Sequence, residues 1–142
     1  MRPAQTTIAI ETDGPGLTEF TGAAAQFVTE QASGGPALLT CFVRHTSCSL
    51  LVQENADPDV RRDLAAYFSR LVPPADDPSM HYLVHRLEGA DDMPAHIKAA
   101  LTAVSLNVPV ADGRLMLGTW QGLYLFEHRW RPHRREIVLH LA

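Results

Sequence analysis

The chain has 142 residues, 46% of them hydrophobic and 20% charged, a balance that fits one ordinary globular domain with a single core. Twelve basic against sixteen acidic residues give a formal charge of −4, which disfavours a non-specific nucleic-acid binder. No stretch of about 18 apolar residues is present and no secretory leader pattern opens the chain, so neither a membrane span nor export is expected and a cytoplasmic home is the default. Cys41 and Cys48 do not form a disulfide framework; both read as small packed residues.

In chain order, TTIAIET at 6–12 alternates as a strand and DGPG at 13–16 is a turn. LTEFTGAAAQFVTEQA at 17–32 reads as a helix capped by Thr18, stopped by SGGP at 33–36. ALLTCFVRHTS at 37–47 is a buried strand, in which alternation puts Cys41, Val43 and His45 on one face. NADPDVRRDLAAYFSRLVP predicts a helix with Asp57 as N-cap and Pro58 in the first turn; Val60, Leu64, Phe68 and Leu71 form its apolar stripe. MHYLVHRL at 80–87 suggests a short strand. DDMPAHIKAALTAV repeats the helix start, with Asp91 or Asp92 as cap, Pro94 in the first turn and His96 close to the helix N-terminus. LNVPV, GRLMLGTWQGLYLFEHRW and REIVLHLA finish the chain as strands, with turns or bulges at Gly113, Gly118 and Gly122. Strands dominate the last third and helices interrupt the middle, which predicts an α+β domain over 1–142 with a mainly antiparallel sheet.

Two stretches are richer in polar groups than a strand end requires. HTSCSLLVQENAD at 45–57 sets His45, Thr46, Ser47, Glu54 and Asn55 around an apolar run, and GTWQG at 118–122 sets Trp120 and Gln121 between glycines. His45, His85 and His96 come from three different elements. Neutral imidazoles at element ends match a catalytic metal site that keeps one position open. The spacing is no recognised zinc motif, and three separately hydrogen-bonded histidines are the competing reading. A helix N-terminus would disfavour the imidazolium at His96 and keep a lone pair free. Glu54 would orient a histidine, act as general base, or be solvated. Trp120 would stack on a planar ligand or pack in a core or interface. His128, His133 and His140 read as surface or structural, and Arg129, Arg131, Arg134 and Arg135 as a solvated basic turn. No GxxxxGK or GxGxxG phosphate loop is present.

The order of HTSCSLLVQENADPDVRRDL, HRLEGADDMPAHIKAAL and SLNVPVADGRLMLGTWQGLYLFEHR resembles the YjbQ family over about residues 5 to 142. Members of that family carry the label secondary thiamine-phosphate synthase. The resemblance implies a compact α+β fold, a homotrimer, and a metal site at His45, His85 and His96. It implies joining a hydroxymethylpyrimidine diphosphate to a thiazole phosphate with release of diphosphate, as a side activity. On that reading Glu54 or Asp91 is base or orienting group, and Thr46, Ser47, Asn55, Trp120 and Gln121 line a pocket for a small phosphorylated or heterocyclic molecule. The histidines suit zinc or another transition metal, while magnesium would accompany a diphosphate substrate. The alternative is a non-catalytic trimer that binds a metal or metabolite.

Overall fold

Eight residues of alternating intermediate and exposed side chains and a buried Thr12 make up β1 (Ala4–Thr12), at the edge of a five-stranded sheet in the computed structural model, which describes residues 2–142. Next come β2 (Gly16–Glu19), α1 (Thr21–Gln31), β3 (Ala37–Val43), β4 (Cys48–Glu54), α2 (Pro58–Leu71) and a single 3-10 turn at Pro78–Met80. The chain ends with α3 (Asp92–Leu101), β5 (Ser105–Ala111), β6 (Arg114–Leu115), β7 (Gln121–Glu127) and β8 (His133–Leu141). One sheet has the order β1-β8-β3-β5-β6 and the other β2-β7-β4; every pairing in both is antiparallel. The fold is therefore the α+β class with largely antiparallel sheets.

The core lies where the apolar faces of the two sheets and α1 meet. Leu39, Cys41 and Val43 of β3, Leu50 of β4, Leu123 and Leu125 of β7 and Ile137, Leu139 and Leu141 of β8 are buried there, with Ala24, Phe27 and Val28 of α1. Each large aliphatic side chain removed from water contributes about 1.5–3 kcal/mol. The sheets are joined where Leu50 N donates to Ala103 O at 2.6 Å and Val43 N to Val104 O at 2.9 Å. Asp112 and Gly113 both take positive φ, 51° and 74°, and close the two-residue β5–β6 hairpin that an Asp-Gly pair favours.

Several elements differ from their sequence reading. Leu17 and Thr18 belong to β2, paired with Phe126 and Leu125; α1 starts at Thr21 without a side-chain cap. The apolar stripe of α2 buries no residue fully, so this helix lies on the surface, while Asp57 caps it as expected by accepting from Asp59 N at 2.9 Å. Residues 81–87 are irregular rather than a strand. They are tied down by Arg86, whose guanidinium donates to the carbonyls of Leu83, Ala75 and Met80. β3 ends at Val43, so His45 no longer continues its alternation.

Candidate metal centre

α3 begins with Asp92 at its first position and places His96 one turn later, so both side chains rise on the same helix face. The irregular segment before α3 lays His85 against them. Asp92 Oδ2 is 2.8 Å from His85 Nε2 and 3.3 Å from His96 Nε2. One ligand atom from each of the three residues lies within 4.8 Å of the other two.

The surroundings fix this trio. His96 Nδ1 lies 2.9 Å from Thr46 O and donates its proton to that carbonyl. A neutral His96 therefore turns a lone pair on Nε2 toward a carboxylate oxygen that also carries lone pairs. Two acceptors at 3.3 Å require a cation or a proton between them. Ligand atoms about 2.0–2.1 Å from a tetrahedral ion are themselves about 3.3 Å apart, so the His96–Asp92 spacing fits direct coordination. The 2.8 Å contact of His85 is of hydrogen-bond length. Two imidazoles and one carboxylate suit zinc, iron or another transition ion better than magnesium.

Arg129, just past the end of β7, organises the acidic side. Its Nη1 donates to Asp92 Oδ1 at 2.8 Å and its Nε to Asp91 Oδ2 at 2.8 Å, while Nη2 donates to Glu88 O at 3.2 Å. With Oδ1 held by Arg129, Asp92 presents Oδ2 to the two histidines. Asp91 makes no cap bond for α3; it accepts from Arg129 and from Trp130 N at 2.9 Å instead. Burial opposes ionisation of Asp91, but the Arg129 and Trp130 bonds outweigh it and hold the carboxyl below the usual carboxylate range. Such a group is a weak base, and its geometry makes it a support for Arg129.

The remaining sequence candidates separate into two places. His45 stands outside the trio: its Nε2 accepts from Glu136 N at 2.9 Å, because the chain leaves β3 at Val43 and turns the ring toward β8. Burial, then the Arg135 charge, push His45 below the ordinary histidine value. Thr46 contributes its carbonyl rather than its hydroxyl. Ser47 Oγ accepts from the buried Arg135 at 2.9 Å, and Arg135 in turn pairs with the buried Glu127. Arg135 is thus a core residue and no part of a solvated basic turn.

Glu54, Asn55, Trp120 and Gln121 lie at the opposite end of the small sheet. The β4–β7 register pairs Cys48 with Glu127 at the histidine end and Glu54 with Gln121 at the other. Six strand steps separate those ends by about 20 Å. Within one chain Glu54 therefore cannot orient His45, and the apolar run between them is the reason: as a strand it carries its two polar flanks apart. Asn55 donates to Glu19 Oε2 at 3.1 Å and its own N–H to Trp120 O; Gln121 Oε1 accepts from Gly118 N at 2.8 Å. Trp120 is 62% exposed. Burial pushes the Cys41 thiol up to about 12 and the Cys48 thiol up to about 11, so both are inert packed groups.

Asp92 and Arg129 are the residues that motif reading missed. The signal for Asp92 was its four-residue spacing from His96 on one helix, obscured by a capping role that would explain it equally well. Arg129 carried no local signal.

The match with known proteins follows the whole chain. The family model described as "UPF0047 protein YjbQ-like" matches residues 6–142. The UPF0047 protein sll1880 of Synechocystis is 49% identical over 141 residues, covering 99% of this chain and 92% of that protein. The UPF0047 protein YjbQ of Salmonella typhimurium is 46% identical over 115 residues, covering 78% and 80%. Among solved structures, an uncharacterized YjbQ/UPF0047 protein of Clostridium acetobutylicum superposes with a TM-score of 0.80 at 29% identity, covering 94% of this chain and 97% of that one. A conserved hypothetical protein of Thermus thermophilus gives 0.78 at 35% identity, covering 94% and 97%. This chain belongs to the YjbQ/UPF0047 family.

Proposed function

We propose that the chain binds a divalent transition metal, zinc or iron-like in preference, through His85, Asp92 and His96, and acts there on a small phosphorylated or heterocyclic molecule. The observation that carries the reading is the convergence of one ligand atom each from His85, Asp92 and His96 within 4.8 Å of one another, with the other His96 nitrogen committed to Thr46 O. A metal held there would supply Lewis-acid stabilisation of charge developing on a phosphate or diphosphate oxygen. The protein's own part is orientation. Arg129 fixes the Asp92 carboxylate, Thr46 O fixes the His96 tautomer, and half-exposed His85 leaves the cluster open to a ligand.

The candidate reaction is the joining of hydroxymethylpyrimidine diphosphate to thiazole phosphate, which rests on the family resemblance. Magnesium would then enter with the diphosphate rather than at the histidines. A second reading, a metal- or metabolite-binding protein without turnover, draws support from the place of Glu54. The carboxylate proposed as base lies a full strand length from the cluster, and Asp91 is spent on Arg129. The two are separated by metal analysis of the purified protein, followed by a turnover assay with both thiamine precursors on metal-loaded material. Metal without product would establish the binding reading. No metal in wild-type protein, and none taken up on titration with zinc or iron(II), would overturn the metal site in both readings and leave metabolite binding alone.

We also propose assembly into a homotrimer. Val84 and Leu87 are 93% and 98% exposed, and Trp120 and Trp130 are open as well, an apolar surface that association would cover.

A further inference from the structure

His128 is 1% exposed, and its Nδ1 is the one buried side-chain nitrogen or oxygen without a hydrogen-bond partner among the described residues. The other ring nitrogen, Nε2, lies 2.9 Å from Ser49 Oγ. Ser49 is fully buried and its hydroxyl has no second partner. The hydroxyl therefore donates to Nε2; with the opposite polarity its own proton would be left without an acceptor. That choice puts the ring proton on Nδ1 and makes the unpartnered group a donor.

His128 lines a cavity of about 70 Å³ between the C-terminal end of α2, the middle of α3 and the end of β7. Lys98 lines the same cavity. It is 8% exposed, and its ammonium makes no hydrogen bond or ion pair within 4 Å among the described residues. Asp91 forms part of the wall, but Arg129 and Trp130 N already occupy its carboxylate. Ser69 adds a hydroxyl. The buried His128 N–H, unanswered, and the Lys98 ammonium, which keeps some solvent contact and feels the Asp91 charge without a direct bond to it, thus border a space large enough for about two waters at roughly 30 Å³ each. Burying the His128 N–H unpaired is costly, and an acceptor carrying negative charge would satisfy it while pairing with the Lys98 ammonium.

We propose that this cavity is a binding site for a small oxyanion of carboxylate size, held by the Lys98 ammonium and the His128 Nδ1–H. It is separate from the His85–Asp92–His96 trio and does not depend on a metal there. Asp91 and Arg129 join the two, since Asp91 walls the cavity and Arg129 bridges Asp91 to Asp92. The carboxylate could be that of a free small acid or the end group of a larger ligand.

The test uses the full chain, labelled with 15N, and follows the His128 ring resonances while sodium formate is added. Sodium chloride at matched ionic strength is the control, and inorganic phosphate is a second arm for size. The expected result is a saturable shift with formate, none with chloride, and weaker or no binding of the bulkier phosphate. Calorimetry on Lys98→Met and His128→Phe should show formate binding at least about tenfold weaker, the loss of one charge-assisted bond. Arg131→Ala, outside the cavity, should bind formate as wild type does. If either cavity variant fails to fold, the wild-type titration decides by itself. Absence of a saturable formate shift, phosphate binding in place of formate, or wild-type affinity in folded cavity variants would overturn the proposal.

Discussion

The two oxygens of Asp92 have separate tasks, one held by Arg129 and one facing His85 and His96, and substitutions should reveal the division. Asp92→Asn, His85→Ala and His96→Ala should each lower bound zinc at least about tenfold, since each deletes a ligand. His45→Ala should keep its metal, because His45 serves Glu136 N; metal analysis of the four purified variants checks both halves. Zinc retained by both Asp92→Asn and His96→Ala would refute the trio. Sequence reading reached His85 and His96 through their positions at element ends. The same reasoning took in His45 as the end of a strand, but β3 ends two residues earlier, at Val43, and the ring turns to Glu136 N. His128, beside a basic turn, reads equally as surface or structural, and the fold decides for structural by burying it beside Ser49. Burial, then the Lys98 charge, push His128 down to about 3, so it stays neutral in the folded protein. An unfolded histidine takes up its proton near pH 6.5. Between about pH 6.5 and 3 the unfolded state thus binds more protons at this site, and its contribution to stability falls as pH falls through that window. Urea unfolding at several pH values should show the decline, and His128→Phe should flatten it above the range where carboxylates titrate.

At the scale of elements, local chemistry was legible wherever one residue settles one bond. Asp57 followed by Pro58 announced the start of α2, and the observed bond to Asp59 N is that cap. Because α2 buries no residue fully, its terminus counts for more than in a packed helix, and Asp57→Ala should destabilise by about 1 kcal/mol in urea melts. The analogous prediction for Asp91 differs. It makes no cap bond, so Asp91→Ser, a good capping residue, should not rescue stability, whereas it should where capping is the role. Strands β3 and β8 were legible because one face is buried, and β1 because half-buried and exposed side chains alternate strictly. The segment at 81–87 has the apolar content of a strand, yet Val84 and Leu87 point to solvent and its backbone is held by Arg86. Its shape is set by one of its own side chains reaching back to the carbonyls of Ala75 and Met80, which no apolar pattern carries. Likewise β2 exists because β7 pairs with it, overriding the helical pattern of LTEF.

At the scale of the whole molecule, β4 keeps the two polar flanks of HTSCSLLVQENAD about 20 Å apart and sets the second of them beside GTWQG. The His85–Asp92–His96 trio lies at one end of the small sheet and Trp120, Gln121 and Glu54 at the other, so the two can meet only between copies. Both ends carry apolar surface: Val84, Leu87 and Trp130 near the trio, Trp120 and Met116 far from it. A head-to-tail contact between unlike ends closes into a ring only where its rotation allows, and the homotrimer proposed above would be such a ring. Light scattering of the purified chain should therefore give about three times 15.6 kDa. Leu87→Asp and Trp120→Asp place a charge on surface already open in the single chain, so each should leave the monomer fold intact by circular dichroism while shifting the mass toward one copy. A monodisperse monomer for wild type at micromolar concentration would refute the assembly. Dissociation by Leu87→Asp without any effect of Trp120→Asp would show that the contact joins like ends, and the far end of the sheet would then have no part in completing the site.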